Sequence, residues 1–88
     1  MLIPVYLRRF VKELQKAQKR GKDTEKLKEV IHLLMQNKPL PAKYRNHKLQ
    51  GEFRDCWECH IEPDWLMIYK KTSTELILLR TGTHSDLF

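Results

Sequence analysis

The fold is decided by residues 47–88, which read HKLQGEFRDCWECHIEPDWLMIYKKTSTELILLRTGTHSDLF. Residues 53–61 alternate loosely between apolar and polar types, whereas Trp65–Tyr69 and Leu76–Leu79 are almost continuously apolar. Such apolar runs are typical of inner strands that are covered on much of both faces. Because turn-forming residues separate the three segments, the stretch predicts three strands joined by tight turns.

Two helices are predicted upstream of these strands. In the first, apolar residues recur at helical spacing from about Tyr6 to Arg20, and Gly21 ends the pattern. In the second, Asp23 or Thr24 caps a helix that fades at Asn37. The apolar stripes are Leu7, Phe10, Val11, Leu14 and Ala17 in the first helix, and Leu27, Val30, Ile31 and Leu34 in the second. The short connection predicts an antiparallel hairpin, which can cover only one face of the sheet.

A short strand and a long loop complete the chain. Leu2–Val5 is apolar but contains Pro4, so a strand there is expected at an edge of the sheet. Residues 38–48 contain two prolines and no periodicity, which predicts a loop. His32 lies on the second helix and is expected to be an ordinary surface residue. With 88 residues, the chain is expected to form one compact αβ domain over residues 1–88.

Positive charge is concentrated in the predicted helical half. Residues 1–50 carry 13 Lys and Arg against 4 Asp and Glu, whereas residues 51–88 carry 4 against 7. Phosphates attract Lys and Arg regardless of sequence, so this half is the expected contact region for a polyanion, with a solvated helix surface as the alternative. The residues of the first helix expected to contact RNA are Lys12, Lys16, Lys19 and Arg20. Neither a signal peptide nor a membrane span is recognisable, so a cytoplasmic protein without membrane contact is expected.

Residues 47–88 also contain groups suited to cutting RNA without a metal or other cofactor. They are His47, His60, Asp64, Arg80 and His84. Imidazoles move protons near neutral pH and a guanidinium holds a phosphate, while RNA supplies its own nucleophile in the 2′-OH. Trp65 and Phe88 are candidates for stacking on bases, and core burial competes with stacking at Trp65. Period two places Arg80 on the strand face of Leu76 and Leu78, so the active groove is expected on that face.

The segment Cys56-Trp57-Glu58-Cys59-His60 matches the attachment pattern of a c-type haem and contains the CxxC core of redox and zinc motifs. Residues three apart on a strand face opposite sides, so Cys56 and Cys59 are not expected to converge on one metal or to form a disulfide. The chain has no other cysteine to complete a zinc site. The sequence therefore favours two buried, inert thiols.

Several ordered motifs together resemble the YafQ branch of the RelE/ParE superfamily of bacterial toxins. They are a helical hairpin, His-x-Leu-x-Gly at 47–51, His-x-x-Pro-Asp-Trp at 60–65, Ile68-Tyr69, and Arg-x-Gly-x-His-x-x-Leu-Phe at 80–88. The resemblance implies a fold of α+β class in βααβββ order, with the two-helix hairpin packed on one face of a small, mainly antiparallel sheet. It covers nearly the whole chain, and several motifs in one order are far more specific than any one alone.

The resemblance also implies a function, namely a ribosome-dependent endoribonuclease that cuts mRNA in the ribosomal A site and is silenced by a cognate antitoxin. Carried over by motif, His47, His60, Asp64 and His84 are the acid–base set and Arg80 binds the scissile phosphate. Trp65 and Phe88 are implied to face the substrate. Which histidine is base and which is acid stays open. The alternatives are a ParE-type toxin that poisons DNA gyrase without chemistry, and an RNA-binding module without activity.

Overall fold

The computed structural model describes the backbone of all 88 residues and every side chain except that of Glu52. Five strands and three helices follow one another along the chain. In order they are β1 (Ile3–Tyr6), α1 (Arg8–Lys19), α2 (Thr24–Met35), β2 (His47–Lys48), β3 (Trp57–Glu62), β4 (Trp65–Lys71), β5 (Glu75–Gly82) and α3 (His84–Leu87). Single 3₁₀ turns at Ala42–Tyr44 and Gly51–Phe53 flank β2.

The strands form one sheet in the order β1-β5-β4-β3-β2. β1 pairs in parallel with β5, and the other three pairings are antiparallel. The prediction of an edge strand near Leu2–Val5 is therefore confirmed, with its bounds shifted by one residue. The α+β class, the mainly antiparallel sheet and the helical hairpin are confirmed as well.

The helices begin and end where the local sequence predicts. Gly21 follows α1 with φ of +84°, a left-handed backbone that a residue without Cβ adopts readily. Asp23 caps α2, and its carboxylate accepts a hydrogen bond from the backbone N–H of Glu25 at 3.0 Å. The two helices therefore turn back on each other within four residues, as a hairpin requires.

The two faces of the sheet have different cores. Helix side chains such as Phe10, Leu27 and Leu34 pack with Trp65, Met67, Tyr69, Leu76 and Leu78 in the main hydrophobic core. On the opposite face, Leu66 and Ile68 form a smaller cluster with Cys56 and Leu87. Because β4 alternates between these two cores, nearly all its side chains are apolar. The face that α1 and α2 leave uncovered, called here the open face, carries the candidate site.

A register shift on β5 falls just before Arg80. Leu78 pairs with Tyr69, but Arg80 pairs with Ile68, so Leu79 is an extra residue in β5. Tyr69 belongs to the main core and Ile68 to the open-face cluster. The bulge therefore interrupts the predicted alternation after Leu78: the backbone of Arg80 lies opposite Ile68, while its guanidinium contacts Glu13 on α1, the helix that packs over Leu76 and Leu78.

Three local features differ from the sequence-based expectation. The predicted loop at residues 38–48 contains a 3₁₀ turn and ends in the two-residue strand β2. The first hairpin strand begins at Trp57 rather than near residue 53, where a 3₁₀ turn lies instead. The C-terminal segment forms the single-turn helix α3, for which the sequence analysis made no prediction.

Both cysteines are buried and unpaired, as the sequence favours. Cys59 lies in the main core and Cys56 in the open-face cluster, on opposite sides of the sheet. Burial raises the pKa of the Cys59 thiol to about 12, which keeps it protonated and unreactive at neutral pH. His32 is exposed on α2, as expected, and contacts the side chain of Gln36. Among the helices that the structure describes, none is long and apolar enough to cross a membrane.

Candidate active site

Two neighbouring strands place three polar side chains on the open face. His60 pairs with Leu66 and Glu58 with Ile68, and both of these partners belong to the open-face cluster. His47 on β2 pairs with Glu58. Paired residues of antiparallel strands direct their side chains to the same face, so His47, Glu58 and His60 project together.

Glu58 lies between the two imidazoles. One oxygen, Oε1, is 3.3 Å from Nε2 of His47 and 3.4 Å from Nε2 of His60. Glu58 is only 5% exposed, and a carboxylate with so little access to water depends on nearby cations or donors. The other ring nitrogen of His47, Nδ1, donates to the backbone carbonyl of Arg45 at 2.8 Å. Both nitrogens of His47 therefore face acceptors.

Asp64, in the β3–β4 turn, holds His84 from α3. Its Oδ1 accepts hydrogen bonds from Nδ1–H of His84 at 2.7 Å and from the His84 backbone N–H at 2.9 Å. These two bonds, the backbone one first, lower the pKa of the Asp64 carboxyl, so it stays ionised and acts only as an acceptor. The His84 ring is thus fixed in orientation and tautomer, with Nε2 left as the nitrogen that can exchange a proton with a substrate.

The three imidazoles form a row. The ring centres of His47 and His60 are 6.3 Å apart, and those of His60 and His84 are 5.6 Å apart. The two outer rings are exposed, whereas the central ring of His60 is largely covered. The structure thus brings His47, His60, Asp64 and His84 together from the ends of β2, β3, the β3–β4 turn and α3.

Arg80 lies against α1 and is engaged by a residue that the sequence did not single out. Its Nε and Nη2 donate to the Glu13 carboxylate at 2.9 Å and 2.7 Å. Nη2 also lies 3.4 Å from the backbone carbonyl of Asp86 on α3, the helix that carries His84. Arg80 and Glu13 line a cleft of about 240 Å³ between α1 and the end of β5. The guanidinium therefore lies beside the helix that carries one end of the imidazole row.

The single-turn helix α3 is anchored at its start. Thr83 and Asp86 form a capping box, in which each side chain accepts from the other residue's backbone N–H. The Thr83 backbone bond, followed by the Arg20 ion pair at 3.0 Å, lowers the pKa of Asp86 to about 2. A Cβ at Gly82 would lie 2.9 Å from Cβ of Asp86. Glycine is needed there because α3 turns back tightly on β5.

The two aromatic candidates have different environments. Trp65 is 1% exposed in the main core, and its Nε1–H donates to the hydroxyl of Thr81 at 3.0 Å. The prediction that Trp65 faces the substrate is therefore wrong, because its ring lies beneath the helices. Phe88 is 64% exposed and packs edge to face against Phe53, with ring centres 5.9 Å apart. Phe88 can present a ring face to a base.

The basic residues predicted to contact RNA lie on α1 or, for Arg20, directly after its last residue, and all are exposed. Two of them reach the site through Asp86, with Nζ of Lys16 at 3.9 Å and Nη1 of Arg20 at 3.0 Å from its carboxylate. Lys12 and Lys19 lie on the same helix. The cationic surface therefore borders the site at α3, which is compatible with a nucleic acid that crosses both.

Three site residues were missed by the sequence analysis. Glu58 could have been found, because it stands two residues before His60 on a predicted strand and so shares its face. Glu13 and Asp86 had no such signal, since their partners lie 67 and 66 residues away in the chain. In the part of the chain that the structure describes, no cluster of three or more His, Cys, Asp or Glu is arranged to hold a metal ion.

The fold and the site define a small α+β domain with a row of three imidazoles on the open face of its sheet. Sequence comparison identifies the family: a profile described as the bacterial toxin of a type II toxin–antitoxin system, YafQ, matches residues 3–88. The chain belongs to the YafQ family of bacterial toxins.

Individual relatives agree with this assignment. The mRNA interferase toxin YafQ of Escherichia coli strain K12 is 48% identical over 84 residues, which cover 94% of this chain and 91% of that protein. A copper-bound mutant toxin from Helicobacter pylori superimposes with a TM-score of 0.96 at 40% identity, with both chains fully covered. YafQ in the E. coli DinJ-YafQ complex superimposes with a TM-score of 0.93 at 45% identity, covering 100% of this chain and 99% of that one.

Proposed function

We propose that this protein is a ribosome-dependent endoribonuclease that cleaves mRNA in the ribosomal A site by metal-independent acid–base catalysis and so stops translation. The observation that carries the proposal is the row of imidazoles, in which His60 and His84 lie 5.6 Å apart, centre to centre. Cleavage of RNA needs one proton removed and one proton supplied on either side of a single phosphodiester. Its E. coli relative is named an mRNA interferase, which is the same class of activity.

The proposed reaction uses the 2′-OH of the RNA as nucleophile. A base in the site removes the 2′-OH proton, and the oxygen forms a bond to the adjacent phosphorus. The bond from phosphorus to the 5′ oxygen breaks, and an acid in the site protonates that oxygen as it leaves. The products are a 2′,3′-cyclic phosphate and a 5′-OH end. Each positioned proton transfer contributes roughly 10²–10⁴ in rate.

His84 is proposed as one of the two proton carriers because Asp64 holds its Nδ1 and leaves Nε2 for the substrate. His60 or His47 is proposed as the other, and the Glu58 carboxylate lies between these two rings, 3.3 Å and 3.4 Å from their Nε2 atoms. Which histidine removes the proton and which supplies it is left open.

Arg80 and Phe88 are proposed to bind the RNA around this centre. A guanidinium stabilises charge on the pentavalent phosphorus, for which its fixed fork of donors is well suited. Phe88 is exposed and stacks on a base. The exposed cations of α1 and of its C-cap are proposed to contact phosphates of ribosomal RNA; they are Lys12, Lys16, Lys19 and Arg20.

A cognate antitoxin is the proposed protein partner. E. coli YafQ forms a DinJ-YafQ toxin–antitoxin complex. The net charge of +6 favours an antitoxin with an acidic segment that covers the site and the basic surface. We propose the cytoplasm as the site of action, because the ribosome is found there.

Purified ribosomes programmed with a defined message test the proposal. Wild-type protein is expected to cut the message at the A-site codon and to leave a 2′,3′-cyclic phosphate, and a 2′-deoxy nucleotide at the cleavage position is expected to block the cut. A 3′-OH end would overturn the proposed chemistry. An intact message would instead support a non-catalytic RNA-binding module. Broken chromosomes in cells that express the protein would support a gyrase poison.

Matched variants test the residue assignments. His84→Ala, His60→Ala and Arg80→Ala are expected to lose cleavage while keeping the fold, and His32→Ala is the control because His32 is an exposed histidine on α2. Full activity in all three site variants would show that the site lies elsewhere.

A further inference from the structure

Arg45 has a backbone conformation that arginine disfavours. Its φ and ψ are +47° and +46°, in the left-handed region where a Cβ crowds the backbone. The other positive-φ residues are Gly21, Asn37, Gly51 and Asp55, all of types that tolerate this region. Among the described residues with positive φ, Arg45 is thus the one whose residue type disfavours this conformation. Its side chain is present despite that conformational cost.

The left-handed backbone conformation at residue 45 does not require an arginine side chain. The carbonyl of Arg45 accepts the hydrogen bond from Nδ1 of His47 at 2.8 Å, so the left-handed turn helps to orient that ring. Glycine or asparagine would supply the same carbonyl in the same turn at lower cost. The reason for an arginine must therefore lie in its exposed side chain.

That side chain lines a cleft beside the proposed catalytic row. The cleft has a volume of about 190 Å³ and is lined by Lys43, Arg45, His60, Glu62 and Pro63. His60, the central imidazole, forms one wall, so a ligand in the cleft lies next to the catalytic groups. In the sheet order, β3 and β2 lie at one end and β5 lies near the other. The cleft and Arg80 are therefore on opposite sides of His60.

The charge of the cleft is positive. Glu62 is the one acidic residue among the described lining residues, and it is paired with Lys22 at 3.1 Å and Lys26 at 2.9 Å. These bonds lower the pKa of Glu62 and neutralise its charge locally. The cations of Lys43 and Arg45 are then available for an anion, and a guanidinium fork suits a phosphate.

We infer that Lys43 and Arg45 form a second phosphate subsite, which binds an RNA phosphate next to the scissile one while Arg80 engages the scissile phosphate. The inference rests on the proposed function and extends it to the path of the RNA, which runs along the row of imidazoles from β5 to the Lys43–Arg45 cleft. The phosphate comes either from the message or from ribosomal RNA.

The test measures single-turnover cleavage on programmed ribosomes at several salt concentrations. Arg45→Asn removes the charge and keeps a residue that tolerates the left-handed turn, and Lys28→Gln removes an exposed cation on α2 as the control. Arg45→Asn is expected to raise the toxin concentration for half-maximal rate about tenfold, with the maximal rate almost unchanged. The slope of log affinity against log salt is expected to fall by about 0.7, the value for one single-strand phosphate contact. Lys43→Gln should act in the same direction.

Messages with one uncharged methylphosphonate linkage beside the cleavage position distinguish the two sources of phosphate. If the message fills the subsite, this linkage weakens wild type as much as Arg45→Asn does, and the two changes together cost no more than either alone. Additive losses support the subsite but assign it to ribosomal RNA.

Two results would overturn the inference. One is an Arg45→Asn variant with the wild-type concentration dependence and salt slope. The other is a fall in its melting temperature large enough to account for the lost activity, since Asn should leave that temperature equal or higher. If wild type does not cleave at all, the proposed function fails instead, and the salt slope of ribosome binding still decides whether the subsite exists.

Discussion

The carboxylate of Glu13 on α1 fixes the guanidinium of Arg80 on β5 through three hydrogen bonds of 2.7 to 3.1 Å. The same carboxylate accepts from the backbone N–H of Thr81 at 3.2 Å. β1 pairs with β5 only as far as Leu78, so this N–H lies beyond the end of that pairing. Glu13 therefore holds both the bulged end of β5 and the guanidinium of Arg80 beside α1.

Glu13→Gln is expected to lower the cleavage rate about tenfold and to destabilise the fold by about 1–2 kcal/mol, because charge-assisted hydrogen bonds are roughly twice as strong as neutral ones. The rate should fall more than the affinity for ribosomes, since Glu13 acts by orienting Arg80. Glu29→Gln on α2 is the control for loss of an exposed carboxylate. A Glu13→Gln variant that cleaves at the wild-type rate would show that Arg80 needs no such support.

Asp64→Asn tests the hydrogen bond that orients His84. The pKa of Asp64 is lowered by its bonds from His84, so the carboxylate stays charged well below neutral pH and its titration should not limit activity between pH 5 and 8. An asparagine can present an NH₂ group to Nδ1 and favour the wrong tautomer, so a loss of about tenfold to a hundredfold is expected. His84→Ala should lose about 10²–10⁴.

The double variant of Asp64→Asn and His84→Ala gives the decisive comparison. Because Asp64 acts through His84, the two losses should not add, and the double variant should match His84→Ala. Single-turnover rates on programmed ribosomes provide the measurement. Additive losses would mean that Asp64 contacts the RNA independently.

The sequence predicted most of the architecture because that information is local. The apolar stripe of Phe10, Leu14 and Ala17 indicates a helix whatever it packs on, and the run Trp65–Tyr69 indicates a strand buried on both faces. The His-x-x-Pro-Asp-Trp motif likewise places His60 near the end of one strand and Asp64 in the turn that follows it. Residues of one hairpin are brought together by the chain itself.

Long-range geometry was not predictable in the same way. The extra residue Leu79 in β5 shifts the register before Arg80, and no pattern in an apolar strand marks where a bulge falls. In the sequence, Glu13 is one acidic residue on a basic helix. Its contact with Arg80 exists only because α1 packs on β5. The sequence left open whether Trp65 is buried or faces the substrate, because an aromatic residue at the start of a strand can face either side. Only the strand register fixes its partner, Thr81.

Asp86→Asn is expected to make stability less dependent on acid pH. The folded pKa of Asp86 is lowered to about 2 from an ordinary 3.8, so its stabilising effect is complete above about pH 4 and is lost as pH falls towards 2. Partial exposure reduces the effect to roughly 1–2 kcal/mol. Urea unfolding should show the variant less stable by this amount at pH 7 and equal to wild type near pH 2.

Asp55→Asn is the matched control for Asp86→Asn. Asp55 is exposed and has φ of +70°, a conformation that asparagine also tolerates. The Asp55→Asn variant should unfold at nearly the same urea concentration as wild type, both at pH 7 and near pH 2. An Asp86→Asn variant that behaves like Asp55→Asn would mean that the capping box and the Arg20 ion pair contribute nothing to the fold.

Trp65→Phe and Phe88→Ala should separate stability from substrate binding. Trp65→Phe removes the buried hydrogen bond to Thr81 and part of the core packing, so a loss of about 1–3 kcal/mol in the free energy of unfolding is expected. Activity of the folded fraction should change little. Phe88→Ala removes a ring that is 64% exposed, so stability should be nearly unchanged while RNA binding weakens by about 1–3 kcal/mol. Chemical denaturation gives the free energy of unfolding of both variants, and single-turnover cleavage at several toxin concentrations gives their RNA binding. A Trp65→Phe variant with wild-type stability and weakened RNA binding would show that Trp65 faces the substrate after all.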